Sequence, residues 1–81
     1  MRITIRYWAI LADLVGCQTE LLEVPLDATV EHAMDTLIQH HEAISSMRPM
    51  VATAIDDRYV PPDHILHAGD ELSLIPPVSG G

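Results

Sequence analysis

The sequence contains no lysine and only one cysteine, Cys17. A single cysteine excludes an internal disulfide and a zinc site built from several thiolates. Four arginines against 12 acidic residues give a formal net charge of −8, which argues against nucleic acid or an anionic membrane as partner and favours a basic protein surface. Without lysine, the chain also offers no side-chain amine that an activated carboxyl group on another copy could acylate.

Long apolar runs are absent as well. No stretch approaches the ~20 apolar residues that cross a bilayer, and the opening MRITIRYW alternates polar with apolar residues where a signal peptide needs a continuous apolar segment. We therefore expect a cytoplasmic protein. The 81 residues, 48% hydrophobic and 20% charged, suffice for one domain with a modest core. A deep active-site pocket is not expected in so small a domain.

The first half of the chain predicts two strands and two helices. Residues 2–8 alternate with period two, which predicts a strand whose inner side carries Ile3, Ile5 and Tyr7, with Trp8 outside or at its end. A short helix closed by Gly16 and a second strand, TELLEVP, follow. The segment ATVEHAMDTLIQHHEAI predicts the main helix, with Thr29 as N-cap. Its apolar stripe comprises Val30, Ala33, Met34, Leu37, Ile38, His41 and Ile44.

The second half predicts further strands. MVATAI is followed by a DDR turn before YV, and the last strand, Glu71–Ile75, places Leu72 and Leu74 inside and Ile75 outside. This order of elements predicts an α+β fold in which a mixed sheet is covered on one face by one main helix. A β-grasp domain over residues 1–75 is the compact arrangement that we expect.

The histidines and acidic residues do not predict an internal catalytic or metal site. His40 and His41 are adjacent on the predicted helix and face different directions, and His32 lies two turns or more away, so no i,i+4 pair of ligands forms. Asp56 and Asp57 are typical of a solvated hairpin turn, and no glycine-rich loop opens a helix. The remaining candidate for chemistry is the C-terminal segment PPVSGG.

Residues 76–81 have the properties of an extended arm that delivers a carboxylate. Six extended residues reach ~20 Å, and Pro76 and Pro77 bias the base of the arm toward an extended form. Gly80 and Gly81 carry no Cβ, so their backbone fits a channel too narrow for other residues. ATP can convert a carboxylate to an acyl-adenylate, which a sulfur or amine nucleophile then attacks. The alternative is a frayed tail of small residues.

Several motifs together resemble a known family. The motif L-x-x-GDE (residues 66–71), the opening YWAILADLVG, the helix start TVEHAMDTL and the ending PPVSGG resemble the small, sulfur-carrying subunit of molybdopterin synthase, within the ubiquitin-like superfamily. The likeness covers essentially the whole chain. The terminal diglycine alone is a weak signal, and its combination with Pro-Pro and the GDE turn is a strong one.

The resemblance implies a sulfur-donating role without a permanently bound cofactor. An adenylating enzyme of the ubiquitin-activating type would use ATP to adenylate Gly81, and sulfur transfer would leave a thiocarboxylate there. The tail would then enter the large catalytic subunit, where the sulfur passes to cyclic pyranopterin monophosphate to build the molybdopterin dithiolene. Two carriers and two large subunits would form a heterotetramer. The tail residues that would contact the large subunit are Pro76, Pro77, Val78, Ser79 and Gly80.

Trp8, Tyr59 and Ile75 are predicted to form an apolar docking patch beside the base of the tail. Trp8 and Ile75 point outward from strands that are neighbours in a β-grasp, and Tyr59 follows a turn near the same end.

Two other functions use the same activated carboxyl group. One is a sulfur carrier for thiamine synthesis or tRNA thiolation, and the other is a protein modifier whose Gly81 forms isopeptide bonds with target lysines.

Overall fold

The computed structural model describes residues 1–77. Five strands, two α-helices and one 3₁₀ helix follow each other along the chain: β1 Arg2–Tyr7, α1 Ile10–Val15, β2 Thr19–Glu23, α2 Val30–His40, the 3₁₀ helix Glu42–Met50, β3 Ala52–Ile55, β4 Arg58–Tyr59 and β5 Glu71–Ile75. The longer α-helix, α2, has 11 residues. In this part of the chain no helix combines the length and the hydropathy that a membrane span requires.

The strands form one mixed sheet in the order β2-β1-β5-β3-β4. β1 pairs antiparallel with β2 and parallel with β5, and β3 pairs antiparallel with β5 and β4. The predicted α+β fold with a mixed sheet is confirmed. Because β5 is the central strand, the chain leaves the sheet at Ile75 from its middle and not from an edge.

One face of the sheet is buried against α2 and the 3₁₀ helix. Period-two alternation places Ile3, Ile5 and Tyr7 of β1 and Leu72 and Leu74 of β5 on this inner face, where all five side chains are buried. They pack in one cluster with the α2 residues Val30, Ala33, Met34 and Leu37. Each fully buried aliphatic side chain contributes about 1.5–3 kcal/mol relative to its exposed state. The residues that alternate with them along each strand point to the opposite face of the sheet.

α2 starts where the sequence predicts and ends earlier. The hydroxyl of Thr29 accepts a hydrogen bond from the His32 N–H at 3.2 Å, so the predicted N-cap is confirmed. The prediction that one helix continues to Ile44 is wrong. At His41 the backbone leaves the helical conformation, with φ −131°, and residues 42–50 form the 3₁₀ helix that contains Pro49. Ile44 lies in this 3₁₀ segment and is only 2% exposed, so its side chain is buried in the core as the apolar stripe predicts.

Candidate functional site

The sheet face opposite α2 presents side chains in rows that cross the strands. Arg6 of β1 lies opposite Ser73 of β5, Ser73 lies opposite Ala54 of β3, and Ala54 lies opposite Tyr59 of β4. Residues opposite each other in neighbouring strands point to the same face. This face, termed here the open face, therefore brings together residues that are far apart in the sequence, beside the point where the chain leaves β5.

Trp8, Tyr59 and Ile75 line one shallow depression of about 240 Å³ on the open face, together with Ala54, Asp57 and Ser73. Trp8 is 45% exposed and Tyr59 is 75% exposed, whereas Ile75 is half-buried. The structure thus brings together the three apolar residues that the sequence predicts to be neighbours. Their role in docking a partner stays a prediction.

The backbone on both sides of Trp8 is fixed. Its N–H donates to the Leu74 carbonyl of β5 at 3.2 Å, and its carbonyl accepts from the Leu11 N–H of α1 at 3.1 Å. The second bond closes a four-residue turn in which Ala9 has φ 52° and ψ −128°, the first central position of a type II′ turn. Glycine is the residue that adopts this conformation without strain. Ala9 therefore costs backbone energy at the position that holds Trp8 next to the end of β5.

Charged residues surround the apolar part of the open face. The Arg6 guanidinium lies 4.9 Å from the Trp8 ring centroid, within the range of a cation–π contact, and 3.4 Å from the Glu71 carboxylate. A second depression of about 300 Å³ is lined by Arg6, Trp8, Asp56, Asp57, Glu71 and Ser73. Sequence reasoning did not include these polar residues in the site, although strand parity already places Arg6 and Ser73 on the outer side with Trp8 and Ile75.

The described part of the tail continues directly from β5. The strand ends at Ile75, where the sequence predicts the domain to end, and Pro76 is half-buried while Pro77 is exposed. The other predicted tail residues, Val78, Ser79, Gly80 and Gly81, lie outside the described residues.

A polar network on the inner face was missed by sequence reasoning. The Tyr7 hydroxyl donates to Oε1 of Glu20 at 2.7 Å, and Nε2 of His41 lies 2.8 Å from the same oxygen. Burial raises the pKa of the Tyr7 hydroxyl well above its ordinary value, and the hydrogen bond and charge of Glu20 act in the same direction. The network ties His41, the residue at which the backbone leaves α2, to β1 and β2.

The histidines and carboxylates of the described residues are spread over the domain. Within residues 1–77, no group of three His, Cys, Asp or Glu side chains lies close enough together to hold a metal ion. The histidine nearest to a carboxylate is His41, and its partner Glu20 is shared with Tyr7.

Comparison with known proteins assigns the family. Residues 5–81 match the ThiS family, which is nearly the whole chain. The chain belongs to the ThiS family. Among curated relatives, the molybdopterin synthase sulfur carrier subunit of Chlamydomonas reinhardtii is 31% identical over 83 residues, covering 100% of both chains. The small archaeal modifier protein 1 of Haloferax volcanii is 34% identical and is matched over 94% of this chain and 97% of its own length.

The fold of this ThiS-family chain is also found among solved structures. The crystal structure of SAMP1 from Haloferax volcanii superposes with a TM-score of 0.89 at 31% identity, covering 100% of each chain. The predicted ubiquitin-like β-grasp fold is confirmed by this match.

Proposed function

We propose that this ThiS-family chain is the sulfur carrier subunit of a molybdopterin synthase. The observation that carries the proposal is the full-length match to the Chlamydomonas reinhardtii sulfur carrier subunit, together with an arm that starts from the central strand beside an exposed aromatic patch. In this function a partner recognises the folded domain, and the reacting group is the carboxylate of Gly81. The chain itself supplies no catalytic side chain.

The proposed reaction sequence begins outside the synthase. An adenylating enzyme of the ubiquitin-activating type joins the Gly81 carboxylate to AMP and releases pyrophosphate from ATP. A sulfur nucleophile then displaces AMP, which leaves a thiocarboxylate on Gly81. The adenylation step consumes ATP, so we place the carrier in the cytoplasm. No permanently bound cofactor is needed on the carrier.

The charged carrier then docks on the large catalytic subunit of the synthase. Its tail places the thiocarboxylate sulfur next to cyclic pyranopterin monophosphate, where the sulfur bonds to a carbon of the precursor. Water then hydrolyses the resulting thioester, so that the sulfur stays on the precursor and Gly81 returns to a carboxylate. The product dithiolene contains two sulfur atoms and each carrier delivers one, which is consistent with a heterotetramer of two carriers and two large subunits. The position of Trp8, Tyr59 and Ile75 around the base of the tail supports docking through the open face.

A second function is favoured by one specific observation. The small archaeal modifier protein 1 of Haloferax volcanii is 34% identical to this chain, and its name describes a protein modifier. The same activated Gly81 would then be attacked by a lysine amine of a target protein in place of a sulfur nucleophile. Conjugated proteins that carry this chain on a lysine would distinguish the modifier from the carrier.

Reconstitution tests the proposed function directly. The chain prepared with a C-terminal thiocarboxylate is mixed with the large subunit and cyclic pyranopterin monophosphate, and molybdopterin is measured. We expect product in proportion to the thiocarboxylate supplied, since each carrier delivers its sulfur once. The matched control is the same chain with an ordinary carboxylate, which should give none. Equal product from both chains would refute the proposal.

A further inference from the structure

The turn between β3 and β4 keeps two carboxylates beside the open face at a cost in backbone energy. Asp56 and Asp57 form a two-residue hairpin loop in which both residues have positive φ, 52° and 63°. Positive φ at both positions defines a type I′ turn, for which Asn-Gly is the favoured sequence. Aspartate is common at the first of these positions, whereas glycine would adopt the positive φ more easily than Asp57 at the second. The turn itself therefore does not require the carboxylate of Asp57.

These two carboxylates are also the open-face charges that the domain leaves without a counterion. In the described range, Arg2 pairs with Glu23 at 2.9 Å and Arg6 pairs with Glu71 at 3.4 Å, whereas neither Asp56 nor Asp57 takes part in an ion pair. The chain as a whole carries a net charge of −8. The side of the open face near this turn is thus complementary to a cation supplied from outside.

The residues that line the depression beside the base of the tail are complementary to an arginine side chain. Its walls include the apolar side chains of Trp8, Tyr59 and Ile75, and Asp57 is the single charged residue among those that line it. An arginine stem can cover apolar surface while its guanidinium stacks on an aromatic ring and binds a carboxylate. Lysine has a similar stem, but its ammonium group lacks the planar surface for stacking.

We propose that this depression binds an arginine side chain of the large subunit, stacked on Trp8 and paired with the Asp57 carboxylate. The inference rests on the proposed function, since it names the group by which that partner recognises the open face. Arg6 already makes the corresponding contact within the chain, with its guanidinium 4.9 Å from the Trp8 ring centroid. The partner arginine adds a second cation contact on the side of Tyr59 and Asp57.

The test uses two variants of Asp57 that favour the turn. Asp57→Asn and Asp57→Gly remove the charge and introduce the residues that adopt positive φ most easily, so both variants should melt at or above the temperature of the natural chain. Affinity for the large subunit, measured by calorimetry at low salt, should fall on the order of 10-fold for both, as expected for a lost charge pair at an interface. Stability and affinity then change in opposite directions, which a purely structural role does not produce.

The control is Glu42→Gln, which removes the same charge from the 3₁₀ helix on the other side of the sheet. It should bind within about 2-fold of the natural chain, because a distant exposed charge contributes little. Normal affinity of both Asp57 variants, or an equal loss in Glu42→Gln, would overturn the inference. Failure of the natural chain to bind the large subunit would instead refute the proposed function.

A double-mutant cycle identifies the partner group. Each surface arginine of the large subunit near the docked carrier is replaced by glutamine and measured against both the natural chain and Asp57→Asn. The proposed arginine is the one whose replacement weakens the natural chain on the order of 10-fold and leaves Asp57→Asn nearly unchanged. Coupling to a lysine, or to no basic residue, would contradict the assignment to arginine.

Discussion

Replacing Ala9 by glycine should stabilise the protein, although glycine usually destabilises a folded domain. Ala9 has φ 52° and ψ −128°, a region that non-glycine residues occupy at a cost of about 1–3 kcal/mol. Glycine removes this strain but loses more backbone entropy on folding, a cost of about 0.5–1 kcal/mol. Ala9 is exposed, so little buried surface is lost with its methyl group. The net expectation is a gain of about 1 kcal/mol in the free energy of unfolding.

The assay is denaturant unfolding followed by tryptophan fluorescence. Trp8 is the single tryptophan of the chain and is adjacent to the substituted residue, so one signal reports both global unfolding and the environment of the site. For a domain of this size, a gain of 1 kcal/mol raises the melting temperature by about 4–8 °C. The denaturant slope should stay unchanged, because the buried surface is the same.

The matched control is Ala12→Gly within α1, where no backbone strain is present to be relieved. It should lower the free energy of unfolding by at least about 0.5–1 kcal/mol, the ordinary cost of glycine in a helix, because the half-buried methyl group of Ala12 also packs against the core. Opposite signs for the two substitutions support the view that the turn holding Trp8 is strained. A loss of stability in Ala9→Gly as large as in Ala12→Gly would refute it.

Two further predictions concern the open face and the inner polar network. Trp8→Ala should weaken binding to the large subunit by about 10-fold or more, as for an aromatic interface anchor, with an unchanged circular dichroism spectrum; Leu26→Ala, at another exposed apolar residue, serves as control. Unchanged affinity of Trp8→Ala would refute docking through this face. Because burial raises the pKa of Tyr7, the folded protein keeps the Tyr7 proton above about pH 10, where an unfolded tyrosine loses it. The free energy of unfolding should therefore fall above about pH 10, by up to about 1.4 kcal/mol per pH unit relative to Tyr7→Phe, and show no such difference below it. Parallel pH profiles of the two proteins, measured by urea unfolding, would contradict the burial of this hydroxyl.

Much of the fold is predictable from local patterns. The alternation in β1 and β5 identifies which side chains are buried, and Thr29 marks the start of α2 because an N-cap is a local interaction. The end of α2 is set by contacts that the sequence does not display. Ile44 continues the apolar stripe whether the segment is α-helical or 3₁₀, and His41, where the backbone changes, contacts Glu20, which is 21 residues away.

The candidate site is predictable only in part, for a similar reason. Strand parity places Trp8 and Ile75 on the outer side of the sheet. In the structure they line one depression there together with Tyr59. The strained turn at Ala9 cannot be predicted from the residue type, because alanine is a helix former that carries no turn signal. The role proposed for Asp57 depends on which arginines are already paired on the same face, and those pairs follow from the register of the sheet.

The most direct test of the central claim is the intact mass of the chain isolated from cells that make molybdopterin. The carrier function predicts a fraction of molecules heavier by the difference between sulfur and oxygen, with the change confined to the C-terminal peptide that ends in Gly81. It also predicts that deletion of Gly81 abolishes both the heavier species and cofactor synthesis. A chain that carries only an ordinary carboxylate, in cells where the Gly81 deletion still supports cofactor synthesis, would contradict the account.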